Sequence, residues 1–471
     1  MILLINPPSP EGTVSNKDMM GGLGQVYPDV PGASTVPPLD LFYCAAVLKD
    51  KDVEFGLLDA LSFSGSGDEF RDAVRELKPE HVFIRTSLPT YRHDAVFAAE
   101  VKRETGAKTW FFGPAAELFD VELLNGGGAD VVFSGEAEMV MSGLAASGFV
   151  PEGAPGLVFL RGGKAVRTAP VPAAADLDSV AYPLWSARDS GRYRVAAFFG
   201  DEPYLPVQTS RGCPFGCSYC PYTKLQGGRW RERGVENVLG ELKRDHDEFG
   251  ISNFLFRDPE FTLNEERTLR LCKGMEGLGF TLSWVCETRP DTLNDRLIGS
   301  MARAGCRQIN FGVESVGERT LANVRRKYVP PEKIIEVVSA ARKHGVKLFC
   351  FFIMGLPGQT ASEILNDIRF AASVLPGLVQ FTYATPYPST DMFTWAQANR
   401  LIEVSDYSKY TGYVPVMRNE HLTRAQLEKL FSYAYDRLRS RGPAESWPAR
   451  LRSLAGAIRL DIRELRLRYF L

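Results

Sequence analysis

Short apolar runs alternate with stretches whose apolar residues recur every three or four positions, and the alternation occurs twice along the chain. In residues 1–150 the runs Ile2–Ile5, Val53–Leu57, Val82–Ile84, Thr109–Phe112 and Val131–Phe133 predict buried strands. Leu39–Leu48, Phe70–Leu77 and Ala95–Arg103 carry apolar residues at helical spacing between them. This pattern predicts a flavodoxin-like (Rossmann-type) fold, a parallel doubly wound sheet with helices on both faces. Ser9 to Thr35 interrupts it as a long Gly/Pro-rich loop. It leaves the carboxyl end of the first strand, where ligands of such sheets sit, and loops of that length are usually functional. Gly156–Thr168 predicts a β-hairpin turning at Arg161-Gly162-Gly163, and Pro170–Pro183 a linker.

The second alternation begins near Tyr204. Its predicted strands are Leu205–Ser210, Asn253–Phe256, Leu282–Cys286, Gln308–Gly312, Lys347–Met354 and Val379–Thr385. Its predicted helices are Val235–Phe249, Glu265–Gly277, Thr292–Ala304, Pro331–His344 and Ala361–Leu375. Six β/α repeats over about 200 residues are too few for an eight-fold barrel, so a partial (β/α)6 TIM-like barrel is expected, with reactive groups at the carboxyl ends of its strands. After about Asn399 strand signals stop and the chain is expected to be helical. The fold class is therefore α/β, divided into residues 1–150, a hairpin and linker at 151–195, a barrel at 196–399 and a carboxy-terminal region at 400–471.

Composition narrows the classes. The 471 residues are 45% hydrophobic and 24% charged, which excludes a disordered chain, a collagen and a coiled coil. Lys+Arg 55 against Asp+Glu 57 leaves a net charge of -2, so no basic field points to nucleic acid. The longest apolar stretch, Leu348 to Leu356, is half of the ~18 residues a spanning helix needs, and the opening MILLINPP is too short for a signal peptide. A cytoplasmic protein is expected, and its 8 cysteines then point to metal or redox chemistry.

The sharpest motif is Arg211-Gly-Cys213-Pro-Phe-Gly-Cys217-Ser-Tyr-Cys220, just after the first barrel strand. Three soft thiolates on one loop can hold one four-iron cluster and leave its fourth iron open. Zinc would want a fourth Cys or His, and none lies between Cys220 and His246. Cys44, Cys272, Cys306 and Cys350 fit core packing, whereas Cys286, at a strand's carboxyl end, is a candidate for catalysis.

The spacing Cys213-x3-Cys217-x2-Cys220, with Tyr219 before the last cysteine, resembles the motif of the radical S-adenosylmethionine superfamily. The resemblance implies that Cys213, Cys217 and Cys220 bind a [4Fe-4S] cluster whose open iron chelates S-adenosylmethionine. Later strand ends match in order. Asp258 and Glu260 stand where the methionine amino group is contacted. Gly312, Glu314 and Ser315 resemble the element at the ribose and methionine moiety, and Ile353, Gly355 and Gly358 the glycine motif beside adenine. Tyr387 lies at the sixth-strand end that closes the site, and Arg289 is placed to set a charge near the methionine carboxylate.

A flavodoxin-like domain ahead of such a barrel is similar to the cobalamin-binding subgroup. Its matches are Pro7 and Pro8 after strand one, Pro37-Pro38-Leu39, Gly113 and Pro114 after strand four, and Gly135 and Glu136 after strand five. Tyr91 and Arg92 are the candidates for facing the cobalt from below. Two departures stand out: Phe112 replaces the first glycine of a Gly pair, and Asp40 replaces a glycine.

The resemblance implies a cobalamin-dependent methylase that modifies an unactivated carbon of a small-molecule or lipid-like intermediate. In that chemistry methylcobalamin supplies the methyl group and a 5′-deoxyadenosyl radical activates the substrate. A flavodoxin or ferredoxin would donate the electron. The alternatives are a ring-forming or ring-rearranging enzyme without methyl transfer and, in another class, an iron–sulfur sensor. Leu451, Leu454, Ile458, Ile462, Leu465 and Tyr469 share one helical face opposite five arginines. This predicts a terminal helix packed on the barrel, with peripheral contact to an anionic membrane as the sharper alternative.

Overall fold

In the computed structural model, which describes residues 1–30, 33–375 and 377–439, the first alternation yields nine strands. They are β1 (Ile2–Asn6), β2 (Thr13–Asn16), β3 (Gln25–Pro28), β4 (Phe55–Asp59), β5 (His81–Arg85), β6 (Lys108–Phe112), β7 (Val131–Phe133), β8 (Leu157–Arg161) and β9 (Lys164–Arg167). Seven form one sheet in the order β4-β1-β5-β6-β7-β8-β9. The first five run parallel, as predicted, and put the topological switch between β1 and β5. Leu3, Leu4, Ile5, Val82, Phe83, Ile84, Trp110 and Phe111 are fully buried, as a sheet covered on both faces requires.

Local signals place the helices. Gly67–Glu76 starts on a capping box in which Ser66 and Glu69 exchange hydrogen bonds, a device worth about 1 kcal/mol. Tyr91–Thr105 stops at Gly106, whose φ of +73° ends the turn. The predicted second strand lies two residues later than expected, because Leu39–Asp50 outlasts its apolar stripe and Phe55 pairs with Ile2. The predicted hairpin at 156–168 is β8–β9, and β8 adds antiparallel to β7. The Ser9–Thr35 segment differs from expectation: β2 and β3 pair as a hairpin of their own.

The second alternation yields β10 (Leu205–Val207), β11 (Ser210–Arg211), β12 (Arg231–Glu232), β13 (Asn253–Phe256), β14 (Ser283–Thr288), β15 (Cys306–Glu314), β16 (Lys347–Met354) and β17 (Leu378–Tyr383). The pair β11–β12 is a short antiparallel ladder that the apolar pattern does not announce. The other six, with their helices, are the predicted β/α repeats of a partial barrel, in chain order.

Two units divide the chain: Met1–Gly212 with Leu225–Leu255, and Cys213–Lys224 with the residues from Phe256 onward. In the second unit β14, β15, β16 and β17 are parallel neighbours. On β16, Leu348, Cys350, Phe352 and Met354 are sealed, whereas Phe349, Phe351 and Ile353 on the other face are half-buried. The tail departs from the expected helical run. After the helix Asp391–Ala398 the chain is irregular up to the helix Arg424–Arg439, apart from one turn at Tyr407–Lys409. Leu401 and Met417 from that stretch pack with Val324, Leu356, Ala384, Met392 and Ala396, and Tyr219 and Ile353 rest against the cluster. The amphipathic segment Arg450–Leu471 lies outside the described residues. Among the described residues no helix is long and apolar enough to cross a membrane.

Candidate functional site

The cysteine loop is held by its backbone. Ser218 N–H donates to Val324 O (2.9 Å), Met392 N–H donates to Ser218 O (2.9 Å), and Thr223 Oγ1 donates to Phe215 O (2.9 Å). Each sulfur has an N–H donor: the Phe215 amide at Cys213, the Tyr222 amide at Cys220 and the Arg326 side chain at Cys217. Burial pushes the Cys213 thiol up, and pushes Cys220 up to about 12, while those amides oppose it. A bound iron centre would reverse the balance, because it would favour the thiolates that those amides already stabilise. Among the described residues no set of three His, Cys, Asp or Glu side chains converges tightly enough for a single ion. A cluster that takes one thiolate per iron needs no such convergence.

Around that loop the second unit gathers buried charge. The Arg289 guanidinium lies 4.0 Å from the Phe215 ring and donates to both oxygens of Asp291 (2.9 and 3.2 Å). Its Nη1 is buried with no partner. An orphaned cationic donor is costly by ~1–3 kcal/mol unless an anion meets it. The residues therefore fit a carboxylate-bearing ligand beside the cysteines. Glu260 is buried and accepts from Thr288 Oγ1, from Arg289 N–H (3.1 Å) and from Thr292 Oγ1 (3.2 Å); burial pushes its carboxyl up. Asp258 is fully buried at the end of β13.

The β15 end is strained. Glu314 has φ +63°, unusual for a residue with a side chain, and its carboxylate folds back over Gly312, where a Cβ would lie 2.0 Å from Oε1. Tyr219 donates to Glu314, and Arg326 donates to Gly312 O (2.7 Å) while lying 3.8 Å from Glu314. Ser315 is engaged within the chain: its hydroxyl accepts from Gly317 N–H (3.0 Å) and donates to Asp367 (3.0 Å). Gly355 N–H donates to Gln359 Oε1 (2.8 Å) and Gly358 N–H to Glu420 (2.8 Å). Tyr387 is buried near Cys220, and burial pushes its hydroxyl up. Cys286 is a correction. It is sealed with Cys306, to which it is hydrogen-bonded, and near Cys272, so it presents no thiol to a substrate.

In the first unit the carboxyl edge of the sheet is already furnished. Arg85, at the end of β5, is buried; it pairs with Asp40 (2.7 Å) and donates to Lys17 O and Gly22 O (both 3.0 Å). Lys17, fully buried, donates to Asp94 (2.9 Å) and Arg85 O (2.8 Å). Burial lowers its pKa, and Asp94 opposes that. A Cβ on Gly113 would lie 2.4 Å from the Arg85 guanidinium, and a Cβ on Gly22 would lie 2.9 Å from Pro114. The β2–β3 hairpin is thus fastened down on the edge.

The remaining candidates of this unit divide. Pro7 and Pro8 follow β1, and Gly135, φ +118°, lies against Val171 and Val140. Tyr91 and Arg92 both meet Glu122. Tyr91 donates to it at 3.1 Å and stacks on Phe119, and Arg92 pairs with it at 3.1 Å. Glu136 is taken up too, pairing with Arg231 (2.6 Å) and Arg211 (3.3 Å). Burial opposes its charge, but these guanidiniums hold its carboxyl below the ordinary range. Sequence reasoning missed Arg85, Lys17, Arg326, Gln359 and Asp367, most of whose partners lie far off in the sequence.

Three thiols with a donor apiece, an orphaned cation beside them and a β/α barrel define a class, and comparison with known proteins agrees. Residues 207–371 match the Radical SAM superfamily. An uncharacterized methyltransferase of Pyrococcus horikoshii is 32% identical over 416 residues, 85% of this chain and 87% of that protein. An anaerobic magnesium-protoporphyrin IX monomethyl ester cyclase of Cereibacter sphaeroides is 28% identical over 84% of this chain and 66% of its own length. The radical S-adenosylmethionine methyltransferase TsrM of Kitasatospora setae, solved with cobalamin and a [4Fe-4S] cluster bound, superposes with a TM-score of 0.65 at 18% identity, over 84% of this chain and 74% of that one. The chain belongs to the radical SAM superfamily and is an enzyme of that class.

Proposed function

We propose that this enzyme methylates a carbon of a small molecule by radical chemistry, with cobalamin as methyl carrier. The observation that supports it most is the cysteine loop, with an N–H donor for every sulfur and the unpartnered Arg289 Nη1 beside it. When bound, the cluster supplies an electron to S-adenosylmethionine, and cobalamin carries a methyl group. The chain's own groups do the rest. Cys213, Cys217 and Cys220 hold the irons, and Arg289 takes the methionine carboxylate. Asp258 and Glu260 bear on its amino group. Glu314 and Gly312 lie at the ribose, Ile353, Gly355 and Gly358 at the adenine. Tyr387 covers Cys220 and excludes water. The electron comes from outside, from a carrier such as flavodoxin or ferredoxin.

Cobalamin would take the carboxyl edge of the first sheet, at Pro7, Pro8, Gly113, Pro114 and Gly135. The sheet order suits it, and the glycine at 113 permits close backbone approach. The hairpin and the Arg85–Asp40 pair lie on that edge and have to yield first. The filled edge also favours a second reading, ring formation without methyl transfer, which the cyclase relative supports.

The test is anaerobic reconstitution with iron, sulfide and cobalamin. The wild type should make 5′-deoxyadenosine from S-adenosylmethionine under reduction and should retain cobalamin through gel filtration. Failure to retain cobalamin while 5′-deoxyadenosine is formed would leave the ring-forming reading standing.

A further inference from the structure

We infer that Asp367 is a positioning residue that ties together the two strand ends holding S-adenosylmethionine, the β15 end and the turn after β16. This rests on the reading of Glu314–Ser315 and Gly355–Gly358 as ligand contacts. Asp367 lies on the helix Ala361–Val374, 2% exposed. Its Oδ1 accepts from Val316 N–H (2.7 Å) and Ser315 Oγ (3.0 Å), immediately after Glu314. Its Oδ2 accepts from Gln359 Nε2 (3.0 Å). Gln359, fully buried, turns its carbonyl the other way, to Gly355 N–H (2.8 Å) and Leu356 N–H (3.2 Å). One carboxylate therefore spans both turns through one amide.

The arrangement demands the ionised form. Every group hydrogen-bonded to Asp367 donates to it, and Gln359 cannot turn over without stranding two backbone N–H groups. Burial pushes the carboxyl up to about 8, with Glu363 on the same helix adding to the rise and the Val316, Ser315 and Gln359 donors opposing it. Glu363 is itself paired with Arg319 (2.8 Å). Near neutral pH the two demands conflict. A proton on Asp367 relieves a buried charge but costs a hydrogen bond to one turn. Because the folded pKa stands above the unfolded one, the group's contribution to stability is present below about 4 and is lost as pH rises through about 8. The order of the ligand turns changes in the opposite sense, improving as the carboxylate forms.

The test measures S-adenosylmethionine affinity by calorimetry against pH from 6 to 9, alongside melting temperature, in the cluster-reconstituted full chain. Asp367→Asn should weaken affinity about ten-fold at pH 9, as expected for one charged hydrogen bond, with cluster absorbance unchanged. Relative to Asp367→Asn, the wild type should gain affinity and lose melting temperature as pH rises. The ligand's amino group titrates against both proteins and cancels in that difference. Ser315→Ala, which removes one donor and folds more safely, should shift the affinity profile in the same direction by less. Equal affinities and parallel profiles for wild type and both variants would overturn the positioning role. A wild type that binds no S-adenosylmethionine would instead overturn the ligand assignment on which it rests.

Discussion

At the scale of single residues, the site is recognised by groups that pay a local cost. Arg289 keeps a buried guanidinium nitrogen unpartnered, and Glu314 keeps a left-handed backbone. Strain of either kind persists only where surroundings or a ligand repay it. Arg289→Gln keeps the size of the side chain roughly and removes the charge. It should leave the 4Fe absorbance intact and weaken S-adenosylmethionine binding ten- to a hundred-fold, about 1.4–2.8 kcal/mol, measured by calorimetry. Cys217→Ala should lose the cluster and 5′-deoxyadenosine formation altogether, because a cubane on two thiolates is labile. Cys286→Ser should keep both and lower only the melting temperature, since that thiol is enclosed with Cys306 and Cys272. Loss of 5′-deoxyadenosine formation in Cys286→Ser would restore the cysteine as a catalytic candidate.

At the scale of elements, the β2–β3 hairpin is held by Arg85 at the sheet edge where cobalamin is proposed to bind. It is fastened by the buried Lys17–Asp94 ion pair and by Arg85, which donates to Lys17 O and Gly22 O while pairing with Asp40. Breaking one partner of such a pair costs ~3–5 kcal/mol, and removing both avoids leaving an uncompensated buried charge. The double variant Arg85→Gly with Asp40→Gly should therefore fold and should take up hydroxocobalamin at least ten-fold faster than the wild type, followed by stopped-flow absorbance. Equal uptake rates would show that the edge is no barrier. The helix and strand pattern was legible because apolar spacing reports burial directly. Val235–Phe249, Asn253–Phe256 and Lys347–Met354 run as predicted. The hairpin was not legible, because the residues it buries, Ser15, Asn16 and Gln25, are polar, so no apolar alternation marks its strands. The cysteines and strand-end glycines were legible as motifs. Arg85 and Asp367 were not, since nothing in a strand-end arginine or a mid-helix aspartate says that burial and distant partners await it.

At the scale of the whole molecule, the two readings of the chemistry differ in what becomes of the methyl group of S-adenosylmethionine. The chain shares its superfamily with a protein named as a methyltransferase and resembles one named as a cyclase, so overall likeness does not choose between them. On β16 the half-buried Phe349 and Phe351 hold their rings 4.7 Å apart, with Gln380 beside Phe351 in register. Asn310, in register with Phe349, keeps a buried amide nitrogen unpartnered. None of these groups chooses between the two readings, so the test turns on cobalamin. On the proposed function, methyl transfer requires cobalamin at the carboxyl edge of the first sheet, and without it only hydrogen abstraction would be left. Incubating the reconstituted enzyme and a cell extract with S-adenosylmethionine deuterated at the methyl group separates these outcomes by mass spectrometry. A methylase yields a product heavier by one labelled methyl, and its formation should require cobalamin and rise in the Arg85→Gly, Asp40→Gly variant. A product lighter by hydrogen, unlabelled and indifferent to cobalamin, would overturn methyl transfer and make the closed edge the working state of the domain.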